Sequence, residues 1–256
     1  DHLLHTLRCS GIDARWRGSL GIKFLGDHAL LTTKEKTLPL VVEGLRRLFS
    51  HVKHAIENKS IPVVIGGDHA SAIGTWAGAV AALRAPLNFG LIWIDAHLDA
   101  HTYETSGEGK WGGWWHGQPV SALLGYGLPE LRNLGGVMPK ISPQHMSMIG
   151  VHSFEAGEEA FVKKHNVKVY YLDEVIRRGF KAVYLESLQR ATTGTAGFGL
   201  TIDLDAFDPE EAPGVSALES TGLHSAEILP IIRSVARHPL FKALEIAEFN
   251  PGQDQN

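Results

Sequence analysis

Short apolar runs that stop abruptly at glycine or aspartate, alternating with longer amphipathic stretches, constrain this chain more than any other feature. Ile-Pro-Val-Val-Ile over 61–65 ends at Gly66 and Gly67, and Phe-Gly-Leu-Ile-Trp-Ile over 89–94 ends at Asp95. Similar runs occupy 146–151, 168–171, 198–202 and 244–249. Runs that are continuously apolar suit strands covered on both faces, which is the situation in parallel sheets. Between them, 35–58, 71–84, 157–166, 182–192 and 226–237 have helical spacing or helix-forming composition. The alternation predicts an α/β fold with a mainly parallel sheet. No internal repeat, low-complexity tract or linker interrupts the pattern, so 1–256 reads as one domain.

Composition excludes several classes. Hydrophobic residues make up 44% and charged residues 20%, ordinary for a globular chain with a sizeable core. A net charge of -4 without a basic block argues against nucleic acid as a partner. No apolar run approaches the roughly 18 residues of a membrane span, and no signal-peptide pattern opens the chain. Cys9 stands alone and cannot form an internal disulfide, which favours a reducing, cytoplasmic setting. The chain begins at Asp1 and stops soon after Asn250-Pro251, so terminal sequence is expected to be missing.

Four polar clusters follow predicted strands: Gly67-Asp68-His69, Asp95 to Asp99, His152 to Glu155, and Asp203 to Asp208. Ligands of open α/β sheets bind beyond the carboxyl ends of the strands, so the four clusters can meet in one crevice. Asp95, His97 and Asp99 are spaced by two, which in extended chain directs all three side chains to one side. Asp203 and Asp205 repeat the spacing, and His69 follows a Gly-Gly turn that permits close backbone approach. Four carboxylates crowded together repel and raise one another's pKa values, whereas two divalent cations would neutralise them. Oxygen-rich donors with imidazole and no thiolate favour manganese over zinc. Metals about 3.5–4 Å apart generate a hydroxide nucleophile near neutral pH. Any one of these pairs alone is more often a cap or turn; the combination at successive strand ends is what points to a metal centre.

The same residues carry a family resemblance. Gly-Gly-Asp-His at 66–69, Asp-Ala-His-Leu-Asp at 95–99 and Asp-Leu-Asp-Ala-Phe-Asp-Pro at 203–209 resemble the signature motifs of the ureohydrolases, a family that includes arginase, agmatinase, guanidinobutyrase and formimidoylglutamase. His-Gly-Gln-Pro at 116–119 and Glu-Phe-Asn-Pro at 248–251 continue the similarity, which covers roughly 60–252. The resemblance implies a three-layer α/β/α sandwich around a mainly parallel central sheet, two Mn2+ ions per chain, held by His69, Asp95, His97, Asp99, Asp203 and Asp205, and a trimer or hexamer. It implies that a metal-bridging hydroxide attacks a guanidinium carbon and that urea is released. Asp99 would orient the hydroxide, His116 would protonate the leaving amine, and Glu227 would pair with the guanidinium. Asp208, next to Pro209, reads as a turn residue.

The resemblance also addresses the substrate. Gly-Val-His-Ser-Phe-Glu-Ala-Gly-Glu at 150–158 resembles the arginase segment that reads the α-amine, which places Glu155 and Glu158 at its acidic positions. The loop 99–106 resembles the one that meets the α-carboxylate, with Ser106 as a donor. His101 departs from it, standing where arginases commonly have asparagine. Glu-Gly-Lys-Trp-Gly-Gly-Trp-Trp at 108–115 lengthens the following loop, and its tryptophans read as packing residues. Arginine, cleaved to ornithine and urea, is the first-choice substrate, with agmatine, 4-guanidinobutyrate and formimidoylglutamate as alternatives. Two more distant readings are a single-zinc deacetylase of related fold and a silent family member serving as a binding protein.

Overall fold

The computed structural model describes residues 2–9, 13–21, 34–107 and 114–254. Among the described residues six strands form one sheet: β1 (Val63–Ile65), β2 (Phe89–Ile94), β3 (Met146–Val151), β4 (Lys168–Tyr171), β5 (Gly197–Asp203) and β6 (Phe241–Ala247). Their order is β1-β6-β5-β2-β3-β4 and every pairing is parallel. The predicted sheet is therefore found, with small shifts at its edges. β1 starts at Val63 because Pro62 has no N–H to give the ladder, although its carbonyl accepts from Leu244 N. β6 starts earlier than predicted and ends at Ala247, where Glu248 turns into the left-handed region at φ 58°.

The period-two geometry of the strands sorts the core into two layers. Phe89, Leu91 and Trp93 face one side, where they pack with Trp76, Val120, Leu123 and Phe161. Ile92 and Ile94 face the other, with Val183, Tyr184, Leu200 and Ile228. The first side is covered by α3 (Ser71–Leu83), α4 (Pro119–Leu123) and α6 (Ala156–Lys164), with α2 (Lys34–Glu57) packed outside α3. The second is covered by α7 (Leu172–Arg178), α8 (Phe180–Thr192) and α9 (Ser225–Ile232). Two more helices, α1 (His2–Cys9) and the one-turn α5 (Pro129–Arg132), complete the described set. Helices α1, α4, α5 and α7 have no counterpart among the sequence-predicted segments. The predicted helix 226–237 stops early, at Ile232 two residues after Pro230, and a separate turn covers Val235–Arg237.

Glycine is required at two strand positions by close approach. A Cβ at Gly199 would lie 2.0 Å from the Trp76 ring, and one at Gly90 would lie 1.9 Å from the Ala191 carbonyl oxygen. These contacts let α3 and α8 press against the centre of the sheet. The loops after β1, β2, β5 and β6 consequently emerge side by side over one end of it.

Candidate metal centre

The carboxyl ends of three strands bring the predicted ligands together. His69 follows β1, Asp95 to Asp99 follow β2, and Asp203 closes β5, with Asp205 in the turn that follows. His69 Nδ1 lies 2.8 Å from Asp203 Oδ2, 3.1 Å from Asp99 Oδ2 and 3.2 Å from Asp95 Oδ2. His97 Nδ1 lies 3.1 Å from Asp205 Oδ2 and 3.6 Å from Asp95 Oδ1. Two triads therefore share Asp95: His69, Asp95 and Asp99 in one, and Asp95, His97 and Asp205 in the other. In each, one ligand atom per residue lies within 4.8 Å of the others.

Local structure fixes these side chains. Asp95 Oδ1 accepts from the His97 N–H at 2.6 Å, and its Oδ2 accepts from Trp93 Nε1 at 2.7 Å. Asp203 Oδ1 accepts from the Asp205 N–H. The His69 ring stacks on Trp93 with centroids 4.3 Å apart, and its Nε2 meets the Thr201 hydroxyl at 3.0 Å. Thr201 donates in turn to Glu245, a wholly buried carboxylate that also accepts from Ser71 and Thr75. Asp99 sits at φ 48°, a left-handed conformation that is unusual outside glycine and is held here by its surroundings.

The electrostatics of this cluster are unbalanced as they stand. Burial pushes Asp99 up to about 7, helped by the Asp95 charge. Burial also raises Asp205 well above the usual carboxylate range, with Asp203 and Asp95 adding to it. Asp95 goes the other way, because contacts with His69 and His97 overcome its burial. Burial opposes protonation of both histidines. Asp203, Asp95 and Asp99 nevertheless raise His69, and Asp205, Asp95 and Glu219 raise His97.

The donor set fits divalent cations on a specific observation. His69 Nδ1 is buried with three carboxylate oxygens within 3.2 Å, yet it makes a hydrogen bond to none of them. Asp205 Oδ1 is likewise buried without a partner. Atoms that converge on a common point without bonding to one another are arranged as ligands are around an ion.

Comparison with known proteins agrees with this geometry. The family model described as "Arginase family" matches residues 5–256. The chain is 37% identical to an arginase of Bacillus caldovelox over 228 residues, 89% of this chain and 74% of that one. It is 35% identical to an arginase of Bacillus subtilis strain 168 over 253 residues, 98% of this chain and 81% of that one. The chain belongs to the arginase family of ureohydrolases. A crystal structure of Bacillus subtilis arginase superimposes with a TM-score of 0.90 at 34% identity, covering 99% of this chain and 83% of that one. A formimidoylglutamase structure from the same species, at 24% identity and a TM-score of 0.68, shares the fold. As a family member the chain is a C–N bond hydrolase.

Against this ureohydrolase frame, the remaining sequence-predicted residues divide. His116 stands near the cluster, its Nδ1 3.8 Å from Asp68 Oδ2. Burial lowers it, but Asp68, Asp99 and Glu248 prevail and push it up to about 9. Glu227 is not brought to the site. It lies exposed in the first turn of α9, where a glutamate suits the helix dipole and its charge faces His224.

The carboxylate that reaches the cluster is Glu248, quoted within a motif but given no role by the sequence. Its Oε1 accepts from the His69 N–H at 2.9 Å. Burial pushes it up to about 7, with the charges of Asp203 and Asp68 adding to the shift. It too is left-handed, at φ 58°.

The predicted substrate-side residues are largely committed within the protein. His101 is 2% exposed; its Nε2 bonds Glu155 Oε2 at 2.5 Å and its Nδ1 meets Thr105. Buried Glu158 accepts from the N–H groups of Ala100 and Glu155, the latter as half of a capping box that opens α6. Buried Ser106 donates to the Tyr103 carbonyl. His101, Glu158 and Ser106 are thus each held by hydrogen bonds within the protein, and Glu155 is partly exposed. Asp208 accepts from the Glu210 N–H, as expected of a turn residue. Trp115 is buried and donates to Thr37 at 2.7 Å, and Trp114 is partly exposed. Trp111 lies outside the described residues.

Proposed function

We propose that this chain is an arginase that hydrolyses arginine to ornithine and urea at a pair of Mn2+ ions. The observation that carries the reading is the pair of triads sharing Asp95, with the unbonded His69 Nδ1 aimed between three carboxylates. His69, Asp95, Asp99 and Asp203 would hold one ion, and Asp95, His97, Asp203 and Asp205 the other. The oxygen-rich donor set suits manganese. When bound, such ions supply a water-derived nucleophile at neutral pH and offset the carboxylate charge.

The chain's own residues account for orientation and proton movement. Glu248 has one oxygen engaged by the His69 N–H and the other free to pair with a guanidinium N–H. That pairing would orient the guanidinium plane over the cluster and favour the ionised form of Glu248. Asp99, beside His69 in the cluster, is suited by position to accept a hydrogen bond from attacking water and to take its proton. Water adds to the guanidinium carbon and the bond from that carbon to the alkyl nitrogen breaks. The departing amine takes a proton from His116, which is charged at neutral pH and partly open to solvent. Urea keeps the carbon and the two remaining nitrogens.

Arginine is chosen over its relatives because the most similar proteins named above are arginases. We further propose a homo-oligomer, trimer or hexamer, in the cytoplasm; among the described residues no helix is long and apolar enough to cross a membrane. The deciding experiment measures urea release from arginine, agmatine and 4-guanidinobutyrate side by side with excess Mn2+. Arginine is expected to be cleaved fastest. Faster cleavage of agmatine or 4-guanidinobutyrate would transfer the assignment to that substrate, and no release from any of them would overturn it.

A further inference from the structure

His97 is gripped from both sides, and the outer grip comes from a residue without a place in the scheme above. Glu219 Oε1 lies 3.0 Å from His97 Nε2, while His97 Nδ1 points into the cluster towards Asp205 and Asp95. We propose that Glu219 is a positioning residue that fixes the tautomer and orientation of His97 for the metal. This rests on the metal-centre reading given above.

A neutral imidazole carries one N–H, so an acceptor at Nε2 decides where it sits. With Nε2–H donating to Glu219, the Nδ1 lone pair faces Asp95 and Asp205. Carboxylates placed behind metal-binding histidines have this effect and make the ring a stronger donor. Glu219 lies in the irregular segment between β5 and α9, where no helix or strand holds it. A contact with the Ser153 hydroxyl supplies a second anchor, and the Ser153 N–H donates to the carbonyl of Ala96, next to His97. The loop carrying Glu219 is thus tied to the turn that carries the ligand.

The two imidazoles of the site are consequently held unlike one another. His69 is backed by a hydroxyl in a wholly buried chain of Thr201 and Glu245. His97 is backed by a charged carboxylate with both side chains about one-fifth exposed, 19% for His97 and 22% for Glu219. The ion on the His97 side is therefore the one whose affinity a single surface-loop substitution would change.

The test titrates chelator-treated protein with Mn2+ alone and follows free Mn2+ by electron paramagnetic resonance. Glu219→Ala is expected to weaken one of two equivalents by roughly 10–100-fold and to leave the other unchanged. Glu219→Gln, which keeps an acceptor oxygen without the charge, should fall between. His97→Ala should lose the same equivalent. Wild-type binding of both equivalents by Glu219→Ala, alongside loss of one in His97→Ala, would reduce Glu219 to a surface ion pair and overturn the proposal. Loss of both equivalents together would assign Glu219 to the fold instead. Uptake of fewer than two equivalents by the wild type would overturn the metal reading, and the proposal with it.

Discussion

Thr201→Val tests whether the buried chain behind His69 matters to the site. Valine keeps the shape of threonine, so no cavity opens, and the change removes one oxygen that meets both His69 Nε2 and Glu245 Oε2. All three residues are at most 1% exposed, so water cannot substitute. A buried imidazole N–H left without an acceptor costs about 1–3 kcal/mol, and Glu245 losing the longest of its three donors costs about 1 more. The sum, about 2–4 kcal/mol, corresponds to a fall in Tm of roughly 5–15 °C for a chain of this size. Freed from Thr201, the His69 ring should also bind Mn2+ roughly 10–100-fold more weakly. Calorimetric unfolding of the metal-free protein and isothermal titration with Mn2+ measure the two effects separately, and Thr201→Ser should restore both. If Thr201→Val bound Mn2+ as tightly as the wild type while losing stability, the chain would be a core device unconnected with the metal, and the reasoning would be refuted.

Three further outcomes are expected. Asp99 and Glu248, each raised to about 7, hold protons in the metal-free fold at pH values where the unfolded chain has released them. Stability of the metal-free protein should therefore fall as pH rises from 5 through 7. The raised His69 and His97 act in the same direction, and the lowered Asp95 titrates below this window. Saturating Mn2+ should abolish the trend in a series of melting curves; a metal-free Tm that climbs with pH would contradict it. Glu248→Gln should reduce kcat/KM for arginine at least about 30-fold, the cost of losing a buried charged partner, while Glu227→Gln stays near wild type. Steady-state urea assays that reversed this order would return the guanidinium role to Glu227. Gly199→Ala forces a methyl into the Trp76 ring and should lower the urea denaturation midpoint by the equivalent of about 1–3 kcal/mol, with no direct effect on Mn2+ affinity in the folded protein.

Much of this architecture is legible in the sequence because the signals are local. Mainly apolar runs mark β2 to β5 within a residue or so; β2, β3 and β5 are buried at every position, whereas the edge strand β4 is only partly covered. The ligand pairs are legible because the i, i+2 spacing is itself the device that makes them converge. What escapes the sequence depends on contacts through space. Glu248 stands alone after a strand, with no spacing partner to reveal that its carboxylate meets the His69 backbone 179 residues away. Glu227 attracted the role through a first-turn pattern that also describes an ordinary exposed helix start. His101 and Glu155 are 54 residues apart, so nothing in either segment shows that they satisfy each other. Glu219 lies 122 residues from His97 in a stretch without periodicity.

The strand order has a consequence for how the protein is made. β1 pairs only with β6 among the described strands, and β6 is the last of them to be synthesised. The loop bearing His69 leaves the ribosome early, but β1, which leads into it, has no partner strand until β6 slots in between β1 and β5, bringing Glu248 to the His69 N–H. Loading of the ion proposed for the His69 side should therefore be a late, post-synthetic event. A nascent chain halted before Phe241 would hold the Asp95 to Asp99 turn, Asp203 and Asp205, yet lack the partner strand of β1.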